Sequence, residues 1–229
     1  MLILAIDTSS RSASIALLRD EDILSEICVN LDMNHSVVLL PALQDLLRIS
    51  RIEPTEIDLF ACTVGPGSFT GLRVGAGTVK GLALAMERPI AGVSTLEALA
   101  CNITGQEIPV CPMLDAKKDQ VYTALYRTGA DYTLKKIEHE RVTDVPRFVQ
   151  RLHGDVIFVG DGSIKYAGLI MDMLPGESYF ASDCHQHVRA AVVGVIGKKK
   201  YCEGDVLNPV AFAPVYLRPS EAEMKRFSR

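Results

Sequence analysis

The hydrophobic pattern of the first thirty residues reads as three strands, the second of them alternating small polar and apolar positions. Leu2 to Asp7 predicts one strand, Ser12 to Leu18 a second, and Ile23 to Leu31 a third after the charged turn Arg19-Asp20-Glu21-Asp22. From Asn34 the period changes. Val38, Leu39, Ala42, Leu43, Leu46 and Leu47 recur at spacings of three and four, which predicts an amphipathic helix ending near Ser50, kinked or interrupted at Pro41. Ile57 to Val64 is a continuous apolar run, the pattern of a strand buried on both faces. Pro89 to Val93 predicts another strand, and Ser94 caps a helix from Thr95 to about Asn102 with Glu97 as its capping-box partner.

Between those last two strands lies VGPGSFTGLRVGAGTVKGLALAM, Val64 to Met86. It turns through Gly65-Pro66-Gly67, caps a helix with Ser68 and continues as a glycine-rich helix. Glycine costs about 1 kcal/mol against alanine in a helix interior, so the spacing of Gly67, Gly71 and Gly75 needs a reason. Two are open. The turn and first helical N–H groups suit an anion, and the row of glycines suits the close approach of a helix from another molecule.

The pattern loses its apolar positions around Gly105 to Pro109, which divides the chain into residues 1–106 and 107–229. The second part repeats the first. LAIDTSSRSASIAL, Leu4 to Leu17, aligns without a gap on PMLDAKKDQVYTAL, Pro112 to Leu125, placing Asp7 over Asp115. TVGPGS ending at Ser68 has its counterpart in FVGDGS ending at Ser163, with Gly160 and Gly162 in the turn. Strands are predicted at Val110 to Leu114, Gln120 to Arg127, Tyr132 to His139, Val156 to Val159 and Tyr179-Phe180. Helices are predicted from a Thr143 cap to about His153, from Ser163 to Met173, and from Cys184 to Cys202 with a break at Gly194 or Gly197. Beyond Gly204 the chain reads as extended, with a mobile tail at Lys225, Arg226 and Arg229.

With 229 residues, 48% of them hydrophobic, the chain can bury a full core. Its net charge of -4 and pI near 5.8 argue against generic nucleic-acid binding, so any RNA or DNA involved is held by a partner. The six cysteines form no C-x-x-C pair and read as reduced core thiols. No apolar run approaches the ~20 residues of a membrane span, and a cytoplasmic protein is expected. The run Lys198-Lys199-Lys200 falls near a helix C-terminus, where cations complement the dipole.

Paired aspartates at strand ends beside paired glycine turns describe a cleft in which backbone N–H groups meet a phosphate and a carboxylate meets a metal or water. The candidate nucleotide-binding residues are Asp7, Gly65, Gly67, Ser68, Asp115, Gly160 and Gly162. The alternative is that Asp7 only caps the turn through Thr8 and Ser9.

These segments resemble the actin-like ATPase superfamily of acetate and sugar kinases and heat-shock ATPases, an α/β fold of two ribonuclease-H-like lobes with mixed sheets. LAIDTSSRSASIAL, NHSVVLLPAL, VGPGSFTGLRVG and GVSTLEALA together resemble the TsaB family of bacterial threonylcarbamoyladenosine biosynthesis. The resemblance implies a partner role with the paralogue TsaD and the ATPase TsaE in modifying adenosine 37 of tRNA. It also implies a homodimer when the partner is missing. In TsaD a V-N-H-L-E-x-H motif supplies two metal-binding histidines. Here Thr95 and Leu99 stand at those positions, and leucine has no ligand atom. No catalytic residue, metal or cofactor is therefore expected, ATP or ADP being the weakly supported exception. His185 and His187 lie two apart and would diverge on a helix. What remains is assembly. Interface candidates are His35, Val38, Leu39, Ala42, Leu43 and Leu46 on the first helix and Gly71, Arg73, Gly75 and Thr78 on the glycine-rich one. The rival readings are a small ATPase or kinase and a metallopeptidase-like protein.

Overall fold

In the computed structural model, residues 1–31, 33–103, 105–129 and 133–219 are described. The first strands follow the expected meander: β1 (Leu2–Asp7), β2 (Ala13–Arg19) and β3 (Asp22–Val29). They are followed by α1 (His35–Ser50), β4 (Leu59–Gly65), α2 (Phe69–Met86), β5 (Ile90–Ser94) and α3 (Thr95–Cys101). The sheet order is β3-β2-β1-β4-β5, antiparallel through the meander and parallel from β1 to β5.

The second half runs β6 (Val110–Lys117), β7 (Gln120–Thr128), β8 (Leu134–Asp144), α4 (Val145–Val149), β9 (Val156–Val159), α5 (Asp161–Lys165), α6 (Ala167–Met173), β10 (Ser178–Phe180) and α7 (Ala190–Cys202). Its sheet, β8-β7-β6-β9-β10, repeats the order and directions of the first. The molecule is thus two ribonuclease-H-like lobes of the actin-like fold.

Helices and sheets stack in layers. Leu39, Leu43 and Leu46 of α1 and Ala76, Val79 and Ala83 of α2 pack on Leu4, Ile6, Ile15 and Leu17. The opposite face of that sheet, with Ile3, Ala5, Leu18 and Ala61, shares one core with α3, α7 and residues Val110, Leu114 and Tyr126 of the second sheet. That second sheet packs α4 and α6 on its far side through Phe148, Val149 and Ile170.

Several sequence expectations shift for local reasons. Pro41 does not break α1, because it lies on the exposed side, where water can bond the carbonyl left without an N–H. Thr143 stays in β8, paired with Val121, so Asp144 is the N-cap and α4 has only five residues. The expected helix from Ser163 to Met173 is two helices meeting at Tyr166. Cys184 lies in a short turn of 3-10 helix, and α7 begins only at Ala190, unbroken at Gly194 and Gly197. A Cβ on Gly194 would lie 2.4 Å from Leu18 and one on Gly197 2.6 Å from Ala61, so these glycines let α7 press onto the first sheet. The N-terminus of α7 is met by that sheet as well. Ser14 Oγ accepts from Ala190 N at 3.0 Å, Glu26 Oε1 accepts from Ala191 N at 3.0 Å, and Arg189 pairs with Glu26. Chain beyond residue 106 therefore completes the first lobe. Tyr132, where the third strand of the second half was expected to begin, and the Lys225, Arg226 and Arg229 tail lie outside the described residues.

Candidate functional site: the inter-lobe cleft and the outer helix pair

Asp7 ends β1 fully buried, at 0% exposure. Its Oδ1 accepts from Ser9 N at 3.2 Å, Ser9 Oγ at 2.6 Å and Thr63 Oγ1 at 2.6 Å, while Oδ2 has no hydrogen-bond partner. Burial pushes this carboxyl above the usual carboxylate range, against the pull of the Ser9 and Thr63 hydrogen bonds. Asp7 thus holds the turn, and it keeps one oxygen unsatisfied.

Asp115 occupies the same place in the second lobe, with the same turn. Its Oδ1 accepts from Lys117 N at 3.0 Å, matching Ser9 N on Asp7. It differs in being paired, with Lys117 Nζ and Lys165 Nζ each at 3.1 Å. Burial raises it, but the lysine hydrogen bonds outweigh burial and hold it below the usual range. Asp161, half-buried beside it, accepts from Asp115 N at 2.9 Å and is pushed up, chiefly by loss of solvent.

The glycine turns close onto these aspartate turns. Ser68 caps α2, accepting from Gly71 N at 3.2 Å, and its own N–H is donated to Ser9 O at 2.7 Å. Gly160 donates its N–H to the buried Gln186 Oε1 at 2.7 Å. A Cβ on Gly67 would lie 2.2 Å from Ser9 O, and one on Gly160 2.3 Å from Met113 O. Gly65 instead faces Val215 O, and Gly162 lies against Met113 and Leu114. Between the lobes is a cavity of about 940 Å³ whose lining includes Arg11, His35, Gly67, Asp115, Lys117, Tyr122 and Arg218. Gln186 and Arg218 lie in no motif, and Arg11 and Tyr122 fall inside the duplicated segments without a local signal that marks them as cleft residues.

The glycine row of α2 is where the expectation changes most. A Cβ on Gly71 would lie 2.0 Å from Thr8 O and one on Gly75 2.3 Å from Thr8 Oγ1. Thr8 Oγ1 also donates to Gly71 O at 2.8 Å. These glycines therefore face the molecule's own β1–β2 turn, and no helix from outside can reach them. Leu39, Leu43 and Leu46 are likewise buried against their own sheet. His35 turns inward to Ser10 O at 2.8 Å, tying α1 to the cleft turn.

The exposed surface of the helix pair is composed of other residues. Val37 is 58% exposed, Leu40 52% and Ile49 65%, with Pro41 beside them. Val38, Ala42 and Thr78 are half-buried and Arg73 is exposed. Gly77 and Gly81 have no atom within 4 Å of a Cβ, so the open glycines of α2 are these two.

The positions of the TsaD-type histidines hold Thr95 and Leu99, both fully buried, with Leu99 packed against Gly160. Neither supplies an imidazole: Leu99 has no ligand atom, and Thr95 has only a buried hydroxyl without a hydrogen-bond partner. Among the described residues no group of three or more His, Cys, Asp or Glu gathers to hold an ion. His187 contacts Asn30 and His185 contacts Ser182, well apart in role. All six cysteines are free thiols. Lys198 pairs with Asp20 and Glu21, and Lys200 with Asp205, so two of the three lysines are held by neighbouring acids. No helix among the described residues is long and apolar enough to cross a membrane.

A family model described as TsaD, tRNA N6-adenosine threonylcarbamoyltransferase, matches residues 23–225. The chain is 37% identical to the tRNA threonylcarbamoyladenosine biosynthesis protein TsaB of Escherichia coli, with 98% of each covered. It is 32% identical to the TsaB of Bacillus subtilis, over 98% of this chain and 97% of that one. Among solved structures, YeaZ from Pseudomonas aeruginosa superposes with a TM-score of 0.79 at 27% identity, covering 94% of this chain and 99% of that one. Two lobes of this topology, with leucine and threonine where TsaD-type histidines would stand and near-complete coverage of these relatives, lead to one assignment: the chain belongs to the TsaB family.

Proposed function

We propose that this chain is the non-catalytic partner of TsaD in attaching the threonylcarbamoyl group to adenosine of tRNA, working in the cytoplasm with TsaE as third component and pairing with itself when TsaD is missing. The observation that carries this reading is the division of roles in the molecule. The transfer-site positions are closed by Thr95 and Leu99, while α1 leaves Val37, Leu40 and Pro41 uncovered beside α2. An exposed apolar stripe on a helix pair is the kind of surface that another helix pair covers. The net charge of -4 leaves tRNA contact to the partner.

No resident cofactor is required by this reading. Asp115 is neutralised by two lysines, and the Ser68 and Gly160 N–H groups are already bonded within the chain. Each would have to exchange a partner before meeting a phosphate. Calorimetry with Mg-ATP tests the ATPase rival: tight binding abolished by Asp7→Ala would favour it.

Co-purification with TsaD tests the docking surface. Leu40→Glu, at an exposed position, should leave the melting temperature within a few degrees of wild type and remove the complex. Reconstituted tRNA modification by TsaD and TsaE should then fall with it. Retention of both by the variant would place the interface elsewhere. A tryptophan at Gly75 is the wrong probe, since it would strike Thr8 and disturb the fold itself.

A further inference from the structure

After α7 the chain does not trail away. Leu207 bridges Ile90 of β5 in antiparallel fashion, with N···O distances of 2.8 and 3.0 Å. Phe212 is fully buried in the core beneath α1 and α2. Lys80 of α2 donates to Val210 O at 2.8 Å and to Phe212 O at 3.1 Å, and Val215 N donates to Val64 O at 2.7 Å. Tyr216 then stacks on Phe69 at the start of α2, with ring centroids 4.6 Å apart, and its hydroxyl accepts from Arg73 Nε at 3.1 Å. These hydrogen bonds and the ring stack are all with the first lobe.

The next contacts cross over. Arg218 Nη2 donates to Ala116 O, and the guanidinium lies over the Tyr122 ring at 5.6 Å from its centroid. Ala116 and Tyr122 belong to β6 and β7 of the second lobe, and both line the inter-lobe cavity, as do Phe69 and Arg218. The lobes are joined elsewhere through α3, through Ser94 Oγ on Glu140 at 2.7 Å, and through Asn102, which donates to the carbonyls of His185 and His187. Arg218 adds a link on the side where α2 begins. Its seat is incompletely paired, since Arg218 Nε is buried with no hydrogen-bond partner. A buried donor left unpaired weakens the contact that buries it.

We propose that residues 205–219 form a clasp: a strap fastened to the first lobe by Leu207, Phe212 and Tyr216, whose last contact, Arg218 on Ala116 and Tyr122, ties the two lobes together across the mouth of the cleft and limits how far it opens. The fastening is strong at Phe212 and weak at Arg218, so the clasp opens at its tip while the first lobe stays folded. Its seat on Phe69 and Arg73 is also the first turn of α2, and movement of that turn moves the clasp.

The test uses the full chain with the exposed cysteines Cys28, Cys184 and Cys202 changed to serine and spin labels at the exposed Thr55→Cys before β4 and Asp172→Cys in α6, diluted into unlabelled protein so that only distances within one molecule are read. Pulsed electron paramagnetic resonance then reads the inter-lobe distance. The unaltered strap should give one narrow distribution, and both Arg218→Ala and Tyr216→Ala should lose it, giving a broader and displaced one. Melting curves should stay close to the parent, since Phe212 keeps its place. An unchanged narrow distribution in the Arg218→Ala protein would overturn the clasp. If Tyr216→Ala destabilises the fold, Arg218→Ala decides the matter alone, because it removes a guanidinium tip and no core side chain.

Discussion

At the scale of single residues, the turn after β1 sets most of what is unusual. Asp7 carries a raised pKa, so the native state holds its proton more tightly than the unfolded chain does. Its stabilising proton is fully present below the ordinary carboxylate value and is lost as pH rises through the raised one, leaving a buried charge with an unpaired oxygen. Asp7→Asn should therefore melt higher than wild type at neutral pH and show a flatter stability profile on the alkaline side of the ordinary carboxylate value, as followed by thermal denaturation across pH. The neighbouring glycines give an opposed pair. Gly71→Ala forces a Cβ to within 2.0 Å of Thr8 O and should destabilise by about 1–3 kcal/mol. Gly77→Ala meets nothing within 4 Å and should stabilise by about 0.5–1 kcal/mol. Denaturant titrations of the two variants check both signs. Sequence made Asp7 and Ser68 visible, because an aspartate before small hydroxyl residues and a serine before a helix have local causes. It could not tell which side of α2 Gly71 and Gly75 occupy, because the side is set by Thr8, a contact sixty-three residues away in the case of Gly71.

At the scale of elements, α1 shows why a correct helix can yield the wrong surface. Its strongest apolar row, Leu39, Leu43 and Leu46, is the row its own sheet buries. The surface available to another molecule is the weaker row, Val37, Leu40 and Pro41, which periodicity alone ranks second. The prolines after Gly204 marked the segment as extended, which holds except for a turn of 3-10 helix at Pro209–Ala211, but its attachment was not legible. Phe212 has no periodic neighbours to mark it as core, yet it is 1% exposed. Phe212→Ala should cost about 3–5 kcal/mol in chemical denaturation, the loss expected for a large buried side chain. A loss under about 1 kcal/mol, the range of surface substitutions, would mean that the strap is only laid on the lobe.

At the scale of the whole molecule, duplication was the most readable feature and lobe composition the least. Two aligned aspartate strands and two glycine turns were enough to anticipate two lobes built alike, and the two sheets share one strand order. Nothing local revealed that the second half returns a helix to the first sheet, since the contacts between α7 and β2 link Leu18 with Gly194. Without α7 the first sheet would expose Ile3, Ala5, Leu18, Ala61, Ala91 and Val93 on one face, all now fully buried. At about 25 cal/mol for each Å² of apolar surface, that exposure is more than a marginally stable domain can offset. Residues 1–106 expressed alone should accordingly show helical and strand signal in far-ultraviolet dichroism, bind a hydrophobic dye and unfold without a cooperative transition. Adding residues 186–219 through a flexible linker should restore a cooperative melt, because α7 and Phe212 return together. If residues 1–106 melt cooperatively by themselves, the first lobe does not depend on α7, and the helix is a cover rather than part of its core.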